Sequence, residues 1–365
     1  MFITTTSNLR AKLFIGAAFL LAIASFAPLP TTAQTPTPTP KPCFDFTGSG
    51  RTSFATVTAN PSPTPSTTVT NTTPANYIFR ILGNGGTTAG SLQTVSFGLS
   101  GLDVITPGYF DADNRADLGV YRTTAASYFF RPSTSTTANS FQGVQFGLST
   151  DTAGFEADYD GDGRDDFTVV RDSGANLTWF ILRSSNNTLS VVSFGLSGFT
   201  NGNGDLPVAG ADYNGDGRAD ITVIRRAADG SATYFAGDST TGALVAAQQW
   251  GNFDTDFFVI GDYLGDRRAD FAVYRAFAGG TNGNWFVREN GGSGTVIRQF
   301  GLTSFASVTD RPICGDYNGD GKQDIAIYRS STSSFFWLNS PNFDTFSGIQ
   351  FGQPGDSAVA GLRSY

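Results

Sequence analysis

Nine residues, 158–166 (DYDGDGRDD), return as near copies at 212–220 (DYNGDGRAD) and 316–324 (DYNGDGKQD), and any fold for this chain must house these loops. Oxygen-bearing side chains stand at loop positions 1, 3, 5 and 9, and a glycine at position 6 permits a sharp turn. That spacing suits a hard divalent cation, because Ca²⁺ takes six to eight oxygens at about 2.3–2.6 Å in a flexible cage. The candidate ligands are Asp158, Asp160, Asp162 and Asp166; Asp212, Asn214, Asp216 and Asp220; and Asp316, Asn318, Asp320 and Asp324. The backbone carbonyls of Arg164, Arg218 and Lys322 at position 7 add one donor each.

An EF-hand begins the same way but ends on a bidentate Glu at position 12, between two helices. Here position 12 is Val169, Val223 or Ile327. The residues leaving the loops, such as FTVVR, ITVIR and IAIYR, are β-branched and aromatic without helical periodicity. The loops are therefore read as β-hairpins.

The loop is one marker of a longer repeat. It begins at Asp45, Tyr109, Asp158, Asp212, Asp262 and Asp316, and an aromatic-Gly pair recurs at Phe97, Phe146, Phe194, Trp250, Phe300 and Phe351. Both run at about 50 residues; only the first unit is longer, interrupted by a Ser/Thr/Pro insertion over 60–74. Each unit reads as four short strands, the third with an aromatic at matching positions: Tyr77, Tyr128, Trp179, Tyr234, Trp285 and Phe335. Those aromatics are expected to pack between units. Four strands in about 50 residues is the size of a propeller blade.

With its FG pairs, PVAG-DY-(D/N)-GDG-(R/K) hairpins and WF third strands, the chain resembles the FG-GAP/VCBS-type repeats of bacterial secreted proteins. It is more distantly similar to the calcium-binding blades of the integrin α-subunit propeller. The resemblance covers nearly all of 43–365, in units starting near 43, 107, 156, 210, 260 and 314. It implies an all-β propeller of about six four-stranded blades, with calcium in the hairpin between the first and second strands. Three loops are complete. Two are incomplete: the one at 109 keeps Asp111, Asp113 and Asp117 but begins with Tyr109, and the one at 262 keeps Asp262, Asp266 and Asp270 but has Leu264 and Arg267. The loop at 45 retains one acid, Asp45. The count of calcium ions expected is about three.

Seven segments compete for six first-strand places, because both 42–46 and 357–365 suit the first blade. The C-terminal segment is expected to win and close the ring. Cys43 and Cys314 occupy equivalent positions on units that a closed ring makes neighbours, so they either bridge in an oxidising compartment or stay as buried thiols.

Arg10 and Lys12, an apolar run over 13–27 and small residues up to Ala33 read as an export signal over 1–33, too short for a membrane span. A Thr-Pro linker over 34–42 follows. The mature chain is read as secreted, extracellular or at a cell surface. The net charge of −8 over the whole chain argues against a phosphate backbone as a partner. Of the 31 acidic residues, 17 lie at the four ligand positions of the six loops, a concentration that a solvated surface does not predict.

These features predict a non-catalytic interaction or adhesion module with structural calcium, its protein or glycan partner meeting the loops opposite the metal hairpins (148–154, 196–205, 252–256 and 302–311). The alternatives are a carbohydrate-binding lectin and a propeller-type polysaccharide lyase or hydrolase. Catalysis is disfavoured because the chain has no histidine, only Glu156 and Glu289 as glutamates, and no candidate nucleophile motif. The arginines ending the second strands (Arg122, Arg171, Arg225, Arg275 and Arg329) are read as structural partners of carbonyls or carboxylates.

Overall fold

In the computed structural model the apolar runs leaving the Asp-rich hairpins are strands with almost continuous buried faces, as in Leu118–Arg122, Asp220–Arg226 and Ile325–Arg329. Such runs are buried on both sides and sit inside a sheet. The following strands alternate, as in Asn176–Leu182 and Asn282–Arg288, and the last strand of each sheet exposes every second residue along much of its length. The structure describes residues 41–59, 76–84, 92–137, 140–199, 202, 204–276, 282–303 and 310–363. The export signal, linker residues 34–40 and the insertion at 60–74 lie outside them.

Six antiparallel sheets follow one another along the chain. Blade 2 is Asp103–Ile105, Leu118–Arg122, Ser127–Arg131 and Gln142–Gln145. Blade 4 is Leu206–Ala211, Asp220–Arg226, Ser231–Gly237 and Leu244–Asn252; blades 5 and 6 repeat the order from Asp256–Phe258 and Arg311–Ile313. Blade 3 has three full strands, its first being held by the isolated bridges Thr152↔Val170 and Ala157↔Asp166 around Gly154, whose φ is 107°. Blade 1 takes its first strand from the far end of the chain: Ser357–Ala358 pairs with Phe54–Ala59 through Thr56↔Ala358 and Val57↔Ser357. The competition for that place is thus settled for the C-terminal segment. Residues 42–46 instead enter beside it, with Phe44 and Phe46 buried in the core shared by blades 1, 2 and 6.

A continuous hydrogen-bonded ring ties the six hairpins together. The N–H at loop position 8 donates to the position-1 carbonyl of the preceding loop in every case: Thr52 to Asp316, Ala116 to Asp45, Asp165 to Tyr109, Ala219 to Asp158, Ala269 to Asp212 and Gln323 to Asp262, at 2.6–2.8 Å. Loop 1 donates to loop 6, so the circle is closed. Cys43 and Cys314 cross the same junction as a disulfide with Cα atoms 6.0 Å apart.

Between the blades lie the third-strand aromatics. Trp179 packs with Ile221 and Val223 of the next blade, Trp285 with Ile325 and Ile327, and Phe335 with Phe54 and Val57 of blade 1. Each fully buried ring contributes about 2–3 kcal/mol of transfer free energy.

At the end of each sheet away from its hairpin, the pairing arginine meets a buried aspartate. Arg122–Asp103, Arg171–Asp151, Arg225–Asp205, Arg275–Asp256 and Arg329–Asp310 are two-pronged contacts of 2.5–2.9 Å. Each guanidinium also lies over the phenylalanine of the neighbouring strand: Phe129, Phe180, Phe235, Phe286 or Phe336. Blade 1 exchanges these roles. Thr58 stands where the others have arginine, and Arg80 stands at the phenylalanine position opposite Thr56, reaching Asp356 at 2.9 Å. The charge has moved one strand across, yet the aspartate still meets a cation.

The aromatic-Gly marker belongs to this device. Gly98, Gly147, Gly195, Gly251, Gly301 and Gly352 all have φ between 76° and 117°, a region that favours glycine. A Cβ on Gly195 would lie 2.9 Å from Val223 Cγ1 of the next blade and 3.5 Å from Asp205 Oδ2. The glycine lets the next blade's aspartate approach the backbone, where Asp205 accepts the Leu196 N–H at 2.8 Å.

Candidate metal centre

Four of the six hairpins are built inward from a first and a last aspartate. At position 1, Asp158 accepts the N–H groups of Gly161 (2.6 Å) and Gly163 (2.8 Å). Asp45, Asp212, Asp262 and Asp316 do the same at positions 4 and 6. At position 9, Asp166 is fully buried and accepts Tyr159 N–H (3.0 Å) and Ser184 N–H (2.7 Å). Asp117, Asp270 and Asp324 are held in the same two-sided way. Position 6 is left-handed in all six loops, including Asn114 (φ 59°) and Arg267 (φ 68°), so the substituted hairpins keep the turn.

Two features were not read from the sequence. Position 4 is glycine in five loops, left-handed in each (φ 71–85°), and the position-7 cation of the next loop lies against it: Arg115 over Gly48, Arg218 over Gly161, Arg268 over Gly215, Lys322 over Gly265 and Arg51 over Gly319. A Cβ at Gly161 would meet Arg218 Cγ at 3.0 Å. The second feature is a hydroxyl from the turn between the third and fourth strands. Ser133 donates to Asp113, Ser184 to Asp162, Ser185 to Asp160 and Ser340 to Asp320 and Asp324. Position 7 was legible as a recurring Arg or Lys; the serines lie 16–19 residues beyond the position-9 aspartates of their blades.

Burial, joined by repulsion between neighbouring carboxylates, pushes Asp117, Asp166, Asp220 and Asp270 up to about 7 and Asp324 up to about 6. Asp158 rises to about 6, and Asp111, Asp212, Asp262 and Asp316 are raised, burial leading in each. At Asp162 burial pulls the same way, but hydrogen bonds from Arg164 outweigh it and hold the carboxyl below its usual range.

Two sets of three carboxylates, among the described residues, each offer oxygens lying within 4.8 Å of one another: Asp158, Asp160 and Asp166, and Asp111, Asp113 and Asp117. Oxygens sharing one Ca²⁺ stand at most about 5 Å apart, so both sets fit a common ion. The position-5 residues Asp162, Asp216 and Asp266 turn instead to Arg164, Arg218 and Arg268 of their own loops, at 2.6–2.9 Å. The structure does not gather Asp212, Asp216 and Asp220, or Asp262, Asp266 and Asp270, or Asp316, Asp320 and Asp324, as such sets. In the second hairpin Tyr109 replaces the position-1 acid; its hydroxyl donates to Pro42 O (2.7 Å), and Lys41 lies over its ring, 4.5 Å from the centroid, while donating to Gly163 O.

Residues 158–223, which run from the third hairpin into the second strand of blade 4, match the model of the FG-GAP-like repeat. A comparison with curated proteins returned no match. Among solved structures the chain is similar to the β-propeller domain of the Trilobed protease from Pyrococcus furiosus, described as an open velcro topology. The identity is 8% over 70% of this chain and 85% of that one, with a TM-score of 0.36. It is also similar to rhamnogalacturonan lyase YesW at 11% identity, over 85% of this chain and 63% of that one, with a TM-score of 0.25. Six blades joined hairpin to hairpin make this chain a six-bladed β-propeller that carries an FG-GAP-like repeat over residues 158–223.

Proposed function

We propose that the protein is a secreted calcium-binding β-propeller acting as a non-catalytic interaction module, in which calcium is structural. The observation that carries this reading is the crowding of Asp158, Asp160 and buried Asp166 within 4.8 Å, with burial raising two of the three. An all-oxygen donor set of that charge suits a hard cation. Asp158, Asp160, Asp162 and Asp166 would hold it with the Arg164 carbonyl, and the equivalent atoms would do so at 212–220 and 316–324. The Asp111, Asp113 and Asp117 set is a further candidate, and the hairpin at 262–270 the least favoured. Bound calcium would supply the positive charge that these carboxylates lack.

The loops at the other end of the blades carry the partner surface in this reading. Leu148, Leu196 and Leu302, 39–50% exposed, support a contact role there for a protein or glycan. The acidic charge argues against nucleic acid. The Cys43–Cys314 disulfide supports an oxidising compartment. No helix among the described residues is long and apolar enough to cross a membrane. Carboxylates away from the hairpins, such as Asp103, Asp151 and Asp205, are locked to arginine, which favours a scaffold over an acid–base pair.

Thermal melting with calcium, with magnesium and with chelator tests the reading. Calcium is expected to raise the melting temperature and chelator to lower it. Identical melts in calcium and chelator would overturn structural calcium.

A further inference from the structure

Between blades 5 and 6 runs a slot of about 260 Å³, whose lining includes Asn282, Gln299, Phe300, Arg329, Phe336 and Phe346. Phe346 is 60% exposed, an unusual state for a phenylalanine, yet its position is fixed. Its ring stacks on Phe336 (centroids 5.9 Å, planes 20° apart) and meets Phe300 edge-on at 6.2 Å.

The register explains the platform. Across the strands from Phe336 stands Gly348, as Gly143 stands across from Phe129 in blade 2, whereas the matching partners of Phe180, Phe235 and Phe286 are Val191, Ala247 and Ile297. A Cβ on Gly348 would lie 2.6 Å from Phe336 Cδ1. The glycine therefore lets the Phe336 ring lie down on the fourth strand, alongside Phe346.

The polar part of the lining is close to neutral. Arg329 is matched by Asp310 through two contacts of 2.8 Å, and Asn282 and Gln299 contribute amides that both donate and accept. Aromatic faces beside uncharged amides suit a ring with apolar C–H faces and a hydroxyl rim. A charged ligand would find no uncompensated partner here.

We propose that this slot binds a neutral saccharide, one sugar ring lying against Phe346 and its hydroxyls meeting Asn282 and Gln299. The site goes beyond the proposed function: it is built without the metal hairpins and does not depend on calcium.

The test is saturation-transfer NMR and calorimetry with D-glucose, D-galactose, D-mannose, L-rhamnose, N-acetyl-D-glucosamine and their short oligomers, in calcium and in chelator below the chelated melting point. At least one sugar is expected to bind in both conditions. Phe346→Ala should weaken it about ten-fold or more, the scale of one aromatic stacking contact. Gln299→Ala should weaken it less, and Leu189→Ala, at another exposed outer-strand position, should leave it unchanged. Because Phe346 is exposed, its alanine variant should melt normally. Binding by none of these sugars, or equal binding by Phe346→Ala and the natural chain, would overturn the proposal. Binding that chelator abolishes while Phe346→Ala preserves it would also overturn the proposal, and would place sugar at the metal hairpins instead.

Discussion

Stripped of calcium, this protein should lose stability as the pH rises from 5 to 8, opposite to the usual behaviour of salt-bridged carboxylates. Asp166 shows why. It is buried, pinned by two backbone N–H groups and pushed up to about 7 from an ordinary 3.8, so the folded chain binds a proton that the unfolded chain has already released. Stability from that proton is fully present below about pH 4 and is lost as the pH passes 7. A shift of about three units corresponds to about 4 kcal/mol at most. Discounting for the partly exposed hairpin gives about 2 kcal/mol. Position-9 aspartates are raised in five hairpins. The combined fall is then on the order of 10 °C in melting temperature between pH 5 and 8. Calcium should flatten the curve, because the ion replaces the proton, and the gap between calcium and chelator melts should widen with pH. Differential scanning calorimetry in matched buffers measures both. A chelated melting temperature that is flat or rising from pH 5 to 8 would refute the reasoning.

Substitutions at two glycines and at the blade 1 arginine probe the scaffold. Gly195→Ala should cost about 2–4 kcal/mol in chemical denaturation, since φ is +93° and the new Cβ would meet Val223 at 2.9 Å. Gly163→Ala, with φ +87° and open space around it, should cost only about 1–2 kcal/mol. In blade 1, Arg80→Phe should cost about 2–4 kcal/mol by leaving buried Asp356 without its cation, and adding Thr58→Arg should recover at least half. A double variant no more stable than Arg80→Phe alone would show that the two strand positions are not interchangeable.

The fold was legible because its strongest signals are local and repeated. Position 1, 3, 5 and 9 oxygens, the aromatic-Gly pair and third-strand aromatics each recur at about 50 residues, and the closing strand announces itself by repeating the DxxVAG pattern at Asp356. What escaped were partners fixed by the assembled ring. The packing of Arg218 from the next blade against Gly161 exists only in the assembled ring. The ring hydrogen bond from Thr52 to Asp316 joins residues at opposite ends of the chain. Arg80 looked like an ordinary strand residue until the register placed it opposite Thr56, one strand from where its blade-mates keep their arginine. The ordering of hairpins by sequence also weighed charge rather than proximity. Asp111, Asp113 and Asp117 are drawn together although Tyr109 begins their loop, while Asp216 turns to Arg218 in a loop whose spacing is complete.

Metal analysis of the chain after dialysis against micromolar calcium tests most directly whether the hairpins hold the ion. About three ions per chain are predicted, falling by one in Asp158→Asn/Asp160→Asn with the remaining hairpins filled. A chain that retains no calcium with every aspartate intact would contradict the structural-calcium reading.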